Sequence, residues 1–140
     1  MRRKLIITHG LLAYGLSESL KLFIGEQHGY DVISAYADDS NVEQVVTAYL
    51  EGVGAEELVV FTDVFGGSVQ QLVYRLTAQR SNAHILAGVN LPMLMEFSVL
   101  DQQEGPLVKE QIHALVEASR KAIVDVAGFL VEHTFDAEDE

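Results

Sequence analysis

One histidine and one aspartate stand where the sequence could place a nucleophile and its orienting base. His9 follows the short apolar run LIIT, and Asp63 follows the run LVVFT. A carboxylate that accepts a hydrogen bond from imidazole Nδ1–H fixes the tautomer in which Nε2 carries a free lone pair. The same carboxylate stabilises the positive charge that grows on the ring when Nε2 attacks. The pair therefore predicts a nucleophilic histidine with a partner carboxylate.

Small and hydroxylated residues near this pair predict a place for an anion. Two adjacent glycines after Asp63 let backbone N–H groups approach an anion closely, and the serine that follows adds a hydroxyl. Helices are predicted to open directly after the histidine and after the two glycines, and helix N-termini attract negative charge. A phosphoryl group on the histidine suits such a cradle. We predict that its phosphate-binding residues are Thr8, Gly10, Gly66, Gly67 and Ser68.

The elements that would position these residues follow from the apolar periodicity. Short β-type runs at 4–8, 31–36, 58–62 and 84–87 alternate with segments of helical spacing. The helical segments are predicted at 12–24, from a capping box of Ser40 and Glu43 to about residue 50, from the glycine pair to about 79, after Pro92, and at 107–121. Residues 122–126 (AIVDV) predict either a last strand or a continuation of the preceding helix.

Strands that alternate with helices indicate parallel βαβ units, and strands that are apolar throughout are covered on both faces. We therefore predict an α/β fold: an open, mostly parallel, doubly wound sheet in the order 2-1-3-4 with helices on both faces. In this order the winding reverses between strands one and three. The carboxyl ends of those strands carry His9 and Asp63, so the topology predicts that the two side chains meet at the ligand-binding edge of the sheet.

Length and composition narrow the class of protein. The chain has 140 residues, which predicts one domain over 1–135 with an acidic tail at 136–140. The net charge of -12 argues against a nucleic-acid or anionic-membrane surface and is compatible with a basic protein partner. The sequence has no cysteine, which fits the cytoplasm, and no apolar stretch long enough for a signal peptide or a membrane span. The lack of a Walker sequence, a dinucleotide fingerprint and an acidic Mg²⁺ cluster predicts that no cofactor and no metal is bound.

Three motifs together resemble a known family. ITHG (7–10), TDVFGGSV (62–69) and AGVNLPML (87–94) look like the IIA domain of the mannose-family bacterial sugar phosphotransferase system (PTS), in the order found in that family. The resemblance spans roughly residues 4 to 126.

The resemblance implies a phosphotransferase role as a phosphohistidine intermediate. His9 would accept a phosphoryl group at Nε2 from the phosphocarrier HPr, with Asp63 orienting the ring and the glycine-serine loop holding the phosphate. A separate IIB protein would then receive the phosphoryl group and phosphorylate a sugar that enters through a membrane permease. Family members are cytoplasmic homodimers that exchange an antiparallel edge strand, and residues 122–126 are the segment expected to play that part. The chain lacks an Ala/Pro-rich linker to a fused IIB domain, so we expect a stand-alone IIA protein.

Other interpretations remain open at this point. A phosphotransferase subunit of dihydroxyacetone kinase shares the fold, although SHS would be expected there in place of THG. A regulatory module could carry phosphate without flux, because sensing and carrying use the same histidine. A flavodoxin-like nucleotide binder is opposed by the missing phosphate-loop glycines. Four apolar residues are predicted either to pack in the core or to form a docking rim for HPr: Leu11, Leu12, Phe65 and Met93.

Overall fold

The sheet of the protein has the predicted strand order. The computed structural model describes residues 2–138. Within these residues the chain forms four strands: β1 (Arg2–His9), β2 (Asp31–Ala35), β3 (Glu57–Thr62) and β4 (Ala83–Leu86). They pair in parallel in the order β2-β1-β3-β4, which confirms both the parallel sheet and the reversal of winding between β1 and β3. Strand β1 continues to His9, so the histidine is the last residue of a strand.

Six helices complete the described part of the chain. Four of them follow the strands in turn: α1 (Leu12–Ile24), α2 (Val42–Val53), α3 (Ser68–Thr77) and α4 (Leu91–Leu100). Two more follow, α5 (Lys109–Lys121) and α6 (Val126–Glu138). The chain divides into two compact units, the first ending at Pro106 and the second beginning at Leu107. Among the described residues, no helix combines the length and the apolar character needed to cross a bilayer.

The core of the first unit explains why the central strands are apolar on both faces. On one face, Leu58 and Val60 pack in a buried cluster with residues of α2 and α3, such as Val46 and Val73. On the other face, the rings of Tyr30, Phe61 and Phe97 contact one another, with Phe61 and Phe97 centroids 5.3 Å apart. Both faces of β1 and β3 are thus covered by helices, as expected for a parallel sheet. This packing fixes the carboxyl ends of the two strands beside each other.

The predicted cap of α2 is wrong by one residue. The N-cap is Asn41, whose side-chain oxygen accepts the Gln44 N–H at 3.1 Å. Ser40 is engaged in the preceding turn, because its backbone N–H and its hydroxyl both bond the carboxylate of Asp38. Glu43 does not complete a capping box but pairs with Arg75 at 3.0 Å.

Residues 122–126 form neither the predicted strand nor a continuation of the helix. Helix α5 ends at Lys121, where the Ala122 N–H closes a final turn onto the carbonyl of Ser119 at 3.3 Å. A new helix begins at Val126. The segment contains β-branched residues, which favour strands. It pairs with no strand in the described part of the chain, and without a pairing partner this preference does not produce a strand. Exchange of a strand in a homodimer stays a prediction.

The predicted boundary at 135 and the acidic tail also stay predictions. Residues 136–138 belong to the end of α6, whereas 139 and 140 lie outside the described residues.

A charged network ties the amino ends of the strands together. The Arg2 guanidinium donates to Glu57 at 2.8 Å and to Asp101 at 2.7 Å, and Lys4 lies 2.9 Å from the other oxygen of Asp101. The Arg2 side chain is only 9% exposed. Burial raises the pKa of the Asp101 carboxyl, but hydrogen bonds from Arg2 and Lys4 outweigh burial and lower this pKa below its ordinary value.

We expect Asp101→Asn to lower the free energy of unfolding at pH 7 by about 1–3 kcal/mol, because charge-assisted hydrogen bonds are lost. Since the folded-state pKa of Asp101 lies below its unfolded value, the stabilisation is full above about pH 4 and is lost as the pH falls through the folded-state pKa. Urea unfolding at pH 7 and pH 3 measures this, with Asp39→Asn, an exposed carboxylate, as the control. The gap between Asp101→Asn and wild type should narrow at pH 3, and an equal gap at both values would contradict the prediction.

Candidate active site

The structure brings His9 and Asp63 together at the carboxyl edge of the sheet. His9 ends β1, and Asp63 directly follows the neighbouring strand β3. The Oδ2 atom of Asp63 lies 2.9 Å from the Nδ1 atom of His9 and also accepts the backbone N–H of His9 at 2.9 Å. A single carboxylate oxygen therefore holds both the ring and the backbone of the histidine, as the strand order predicts.

Asp63 is itself held in place and stays ionised. Its Oδ1 atom accepts the N–H of Val64 at 2.9 Å, and its side chain is only 11% exposed. Burial raises the pKa of the Asp63 carboxyl, but the hydrogen bonds from the His9 N–H, the His9 ring and the Val64 N–H together lower it. An ionised carboxylate accepts only, so Nδ1 of the facing imidazole carries a proton, and in the neutral ring Nε2 carries the lone pair.

Ser68 faces the opposite nitrogen of the imidazole. Its Oγ atom lies 3.0 Å from Nε2 of His9. In the neutral ring with Nδ1 donating to Asp63, Nε2 accepts, and the Ser68 hydroxyl is the donor of this bond. Ser68 is the first residue of α3, so the hydroxyl sits at the helix end where backbone N–H groups have no intrahelical partner. The His9 side chain remains 44% exposed, so an incoming group can approach Nε2 once the Ser68 hydroxyl turns away from it.

The backbone conformation before α3 favours glycine at both Gly66 and Gly67. Gly66 has a φ of +82°, which side chains disfavour. A Cβ on Gly67 would lie 3.1 Å from the carbonyl oxygen of Val64, so a larger residue would push the turn open. The N–H of Gly66 donates to the Gln70 side chain at 2.9 Å. This N–H can contact an anion only when the Gln70 side chain moves away, a point that the sequence did not reveal.

Thr8 and Gly10, which flank His9 in the sequence, both make hydrogen bonds within the chain. The Thr8 side chain is fully buried, and its Oγ1 accepts the N–H of Ala13 at 2.7 Å in the first turn of α1. Gly10 has a φ of +60°, and its N–H donates to the carbonyl of Ala35 at 2.7 Å. The groups expected to hold phosphate at these two positions are therefore engaged within the chain. A direct phosphate contact by either residue stays a prediction.

Tyr36 is a site residue that the sequence reasoning missed. Its ring stacks on the imidazole of His9, with centroids 5.5 Å apart and planes inclined by 28°. Tyr36 directly follows β2, the other neighbour of β1. The signal was present, because the predicted strand order places the residue after strand two at the same edge as His9.

Three apolar side chains in the segments that follow His9 and Asp63 are exposed. Leu11, Leu12 and Phe65 are exposed to 67%, 49% and 85%, which agrees with the predicted rim rather than with core packing. Met93 does not belong to this rim because it is only 4% exposed. Its N–H donates to the Asn90 cap of α4, which draws the residue into the core side of the first helical turn.

Comparison with known proteins shows which family this sequence matches. Residues 4–125 match the model of the EIIA-man family, described as the PTS system fructose IIA component. The chain is 26% identical over 121 residues to the PTS system fructose-specific EIIA component of Bacillus subtilis (strain 168), covering 84% of this chain and 82% of that protein. It is 28% identical over 120 residues to the PTS system mannose-specific EIIAB component of Escherichia coli (strain K12), covering 83% of this chain. The match covers only 36% of the E. coli protein's length.

A solved structure shows the same fold. The phosphotransferase system component EIIA from Streptococcus agalactiae superposes with a TM-score of 0.78 at 25% identity, covering 91% of this chain and 99% of that one.

Proposed function

This chain belongs to the EIIA-man family of PTS IIA components, and from that premise we propose that His9 carries a phosphoryl group between phospho-HPr and a IIB protein. The observation that supports this most is the pairing of an ionised Asp63 with Nδ1 of His9 on a side chain that stays 44% exposed. In its neutral form, such a ring presents the Nε2 lone pair to an incoming phosphoryl group.

The proposed transfer balances without proton movement at the attacking atom. The lone pair of His9 Nε2 attacks phosphorus as the bond from phosphorus to the donor nitrogen of HPr breaks, and the electron pair of that bond returns to the donor. The His9 ring becomes cationic, and its Nδ1 proton stays in the hydrogen bond to Asp63, whose charge compensates the ring. The transfer to IIB reverses these steps with a new acceptor. Positioning and charge compensation therefore account for the catalysis.

The surface around His9 suits docking of a protein rather than enclosure of a small molecule. Leu11, Leu12 and Phe65 are exposed apolar side chains close in sequence to His9 and Asp63, and we propose that they form the rim of the docking surface. The net charge of -12 favours encounter with a basic partner. We propose that HPr and IIB bind this surface one after the other. Through IIB, the protein would serve a membrane permease.

Incubation with phosphoenolpyruvate, Enzyme I and HPr tests the proposal. We expect the intact mass to increase by one phosphoryl group, and this gain to be lost in acid and kept in base, as for a phosphoramidate. A chase with IIB and sugar should return the mass to its starting value. A protein that gains no mass would contradict carriage, and a stable phosphoprotein that IIB cannot discharge would support a regulatory module instead.

Ser68 is expected to stabilise the phosphorylated form. Its hydroxyl bonds Nε2 in the free protein at 3.0 Å and must turn to a phosphoryl oxygen when Nε2 is occupied. Since hydrogen bonds to charged groups exceed neutral ones by about 1 kcal/mol, Ser68→Ala should lower the equilibrium ratio of phosphorylated to free protein roughly fivefold. Mass spectrometry of mixtures equilibrated with HPr measures the ratio. Ser68→Thr keeps the hydroxyl and serves as the control, and an unchanged ratio in Ser68→Ala would contradict this role.

A further inference from the structure

We propose that Tyr36 is a positioning residue for phosphoryl transfer, whose ring holds the imidazole of His9 in the plane required for attack. This inference deepens the function proposed above and rests on it. Two independent observations on Tyr36 support it: the contact of its ring with His9 and its strained backbone.

The contact with the Tyr36 ring restrains the imidazole against tilting out of its plane, which the hydrogen bonds of His9 do not do. Asp63 and Ser68 bond the two ring nitrogens, whose N–H group and lone pair lie in the plane of the imidazole. The bond to Ser68 must open when phosphorus approaches Nε2. At that moment only the bond to Asp63 remains, and the ring could tilt about it. Tyr36 stacks against the face of the imidazole at 5.5 Å and so opposes this tilt from outside the plane.

The backbone of Tyr36 is strained without a packing reason. Among residues 2–138 it is the one non-glycine residue with a positive φ, at 63°. A bulky residue is an outlier in this region, where glycine or asparagine is tolerated more easily. The Tyr36 side chain is 55% exposed, so burial of its ring does not offset the strain. Strain of this kind is typical of functional sites.

The turn that carries Tyr36 is coupled to the turn that carries His9. The carbonyl of Ala35 accepts the N–H of Gly10 at 2.7 Å, so the residues next to Tyr36 and next to His9 are joined directly. Strand pairing places His9 opposite Ala35. Tyr36 directly follows Ala35, and its positive φ accompanies the stacking of its ring on the imidazole.

Three variants with two phosphoryl donors test the proposal. Tyr36→Asn and Tyr36→Gly remove the ring but suit the positive φ, whereas Tyr36→Phe keeps the ring and removes only the hydroxyl. Phospho-HPr is the protein donor, and potassium phosphoramidate is a small donor that makes no use of the docking surface. Tyr74→Asn, which removes an exposed tyrosine ring from α3, is the matched control.

We expect the maximal single-turnover rate to fall about tenfold or more in Tyr36→Asn and Tyr36→Gly with either donor, since small misplacements of reacting groups cost large factors in rate. Tyr36→Phe should restore the rate to within about twofold of wild type, because stacking needs only the ring. The melting temperature of the Asn and Gly variants should equal or exceed that of wild type, because the strain is relieved. Slower transfer in an equally or more stable protein would not follow from a merely structural role.

Three results would overturn the inference. An Asn variant that raises only the HPr concentration at half-maximal rate, with normal phosphorylation by phosphoramidate, would make Tyr36 a docking contact. Rates equal to wild type with both donors would remove any role. A melting temperature so low that the Asn and Gly variants are partly unfolded at the assay temperature would show that the Tyr36 ring has a structural role. A wild-type protein that neither donor phosphorylates would instead refute the proposed function itself, so the two failures are distinguishable.

Discussion

His9→Gln is expected to abolish the acid-labile gain of one phosphoryl group from phosphoenolpyruvate, Enzyme I and HPr. Glutamine keeps the length and polarity of the side chain but offers only an amide, which has no nucleophilic ring nitrogen. The fold should survive, because the His9 side chain is 44% exposed. The expected effect is complete loss rather than a reduced rate, since the proposed chemistry uses a single attacking atom.

His113→Gln is the matched control for this experiment, because His113 is an exposed histidine on α5. It should gain the phosphoryl group at the wild-type rate. Circular dichroism spectra and melting curves of both variants should match those of the parent protein. A full phosphoryl gain in His9→Gln would refute the assignment of the nucleophile, whatever other residue then proved to be modified.

Asp63→Asn is expected to slow transfer from phospho-HPr by roughly 10- to 100-fold, the equivalent of losing one charge-assisted hydrogen bond of about 1.5–3 kcal/mol. In the wild type, one carboxylate accepts the His9 N–H, the His9 ring and the Val64 N–H. An asparagine side chain has one oxygen and one NH₂ group, so it cannot accept all three. If its NH₂ group faces the imidazole, the ring proton moves to Nε2 and blocks the attacking lone pair.

Single-turnover rates measured by quenched flow test this prediction, with Asp39→Asn as the control for the loss of one negative charge near the same edge of the sheet. Asp63→Asn should change the maximal rate more than the HPr concentration at half-maximal rate, because Asp63 acts through the ring and not through docking. Nitrogen-15 spectra of the His9 ring should show less of the Nδ1–H tautomer. Wild-type rates in Asp63→Asn would refute the orienting role.

The sequence predicts the sheet and the meeting of His9 with Asp63 because both follow from periodicity and handedness. Alternation of apolar strands with amphipathic helices leaves few topologies, and the order 2-1-3-4 places the ends of strands one and three side by side. The buried faces of β1 and β3 then bring the ends of the two strands, and with them His9 and Asp63, beside each other.

Features set by local competition could not be predicted in the same way. Ser40 and Asn41 are both good helix caps. Ser40 bonds the carboxylate of Asp38 in the structure, so Asn41 caps the helix instead. The segment 122–126 has strand propensity, but a strand forms only where an edge pairs with it. The positive φ of Tyr36 has no signal in a residue type that avoids this region.

The most direct test of the account is the identity of the phosphorylated atom. A long-range nitrogen-15 correlation spectrum of the phosphoprotein, recorded together with phosphorus-31 coupling, reports which imidazole nitrogen carries phosphorus. The geometry predicts phosphorus on Nε2 of His9, with the proton retained on Nδ1 in its bond to Asp63. Phosphorus on Nδ1, or a phosphate ester on Ser68 with an unmodified His9, would contradict the account.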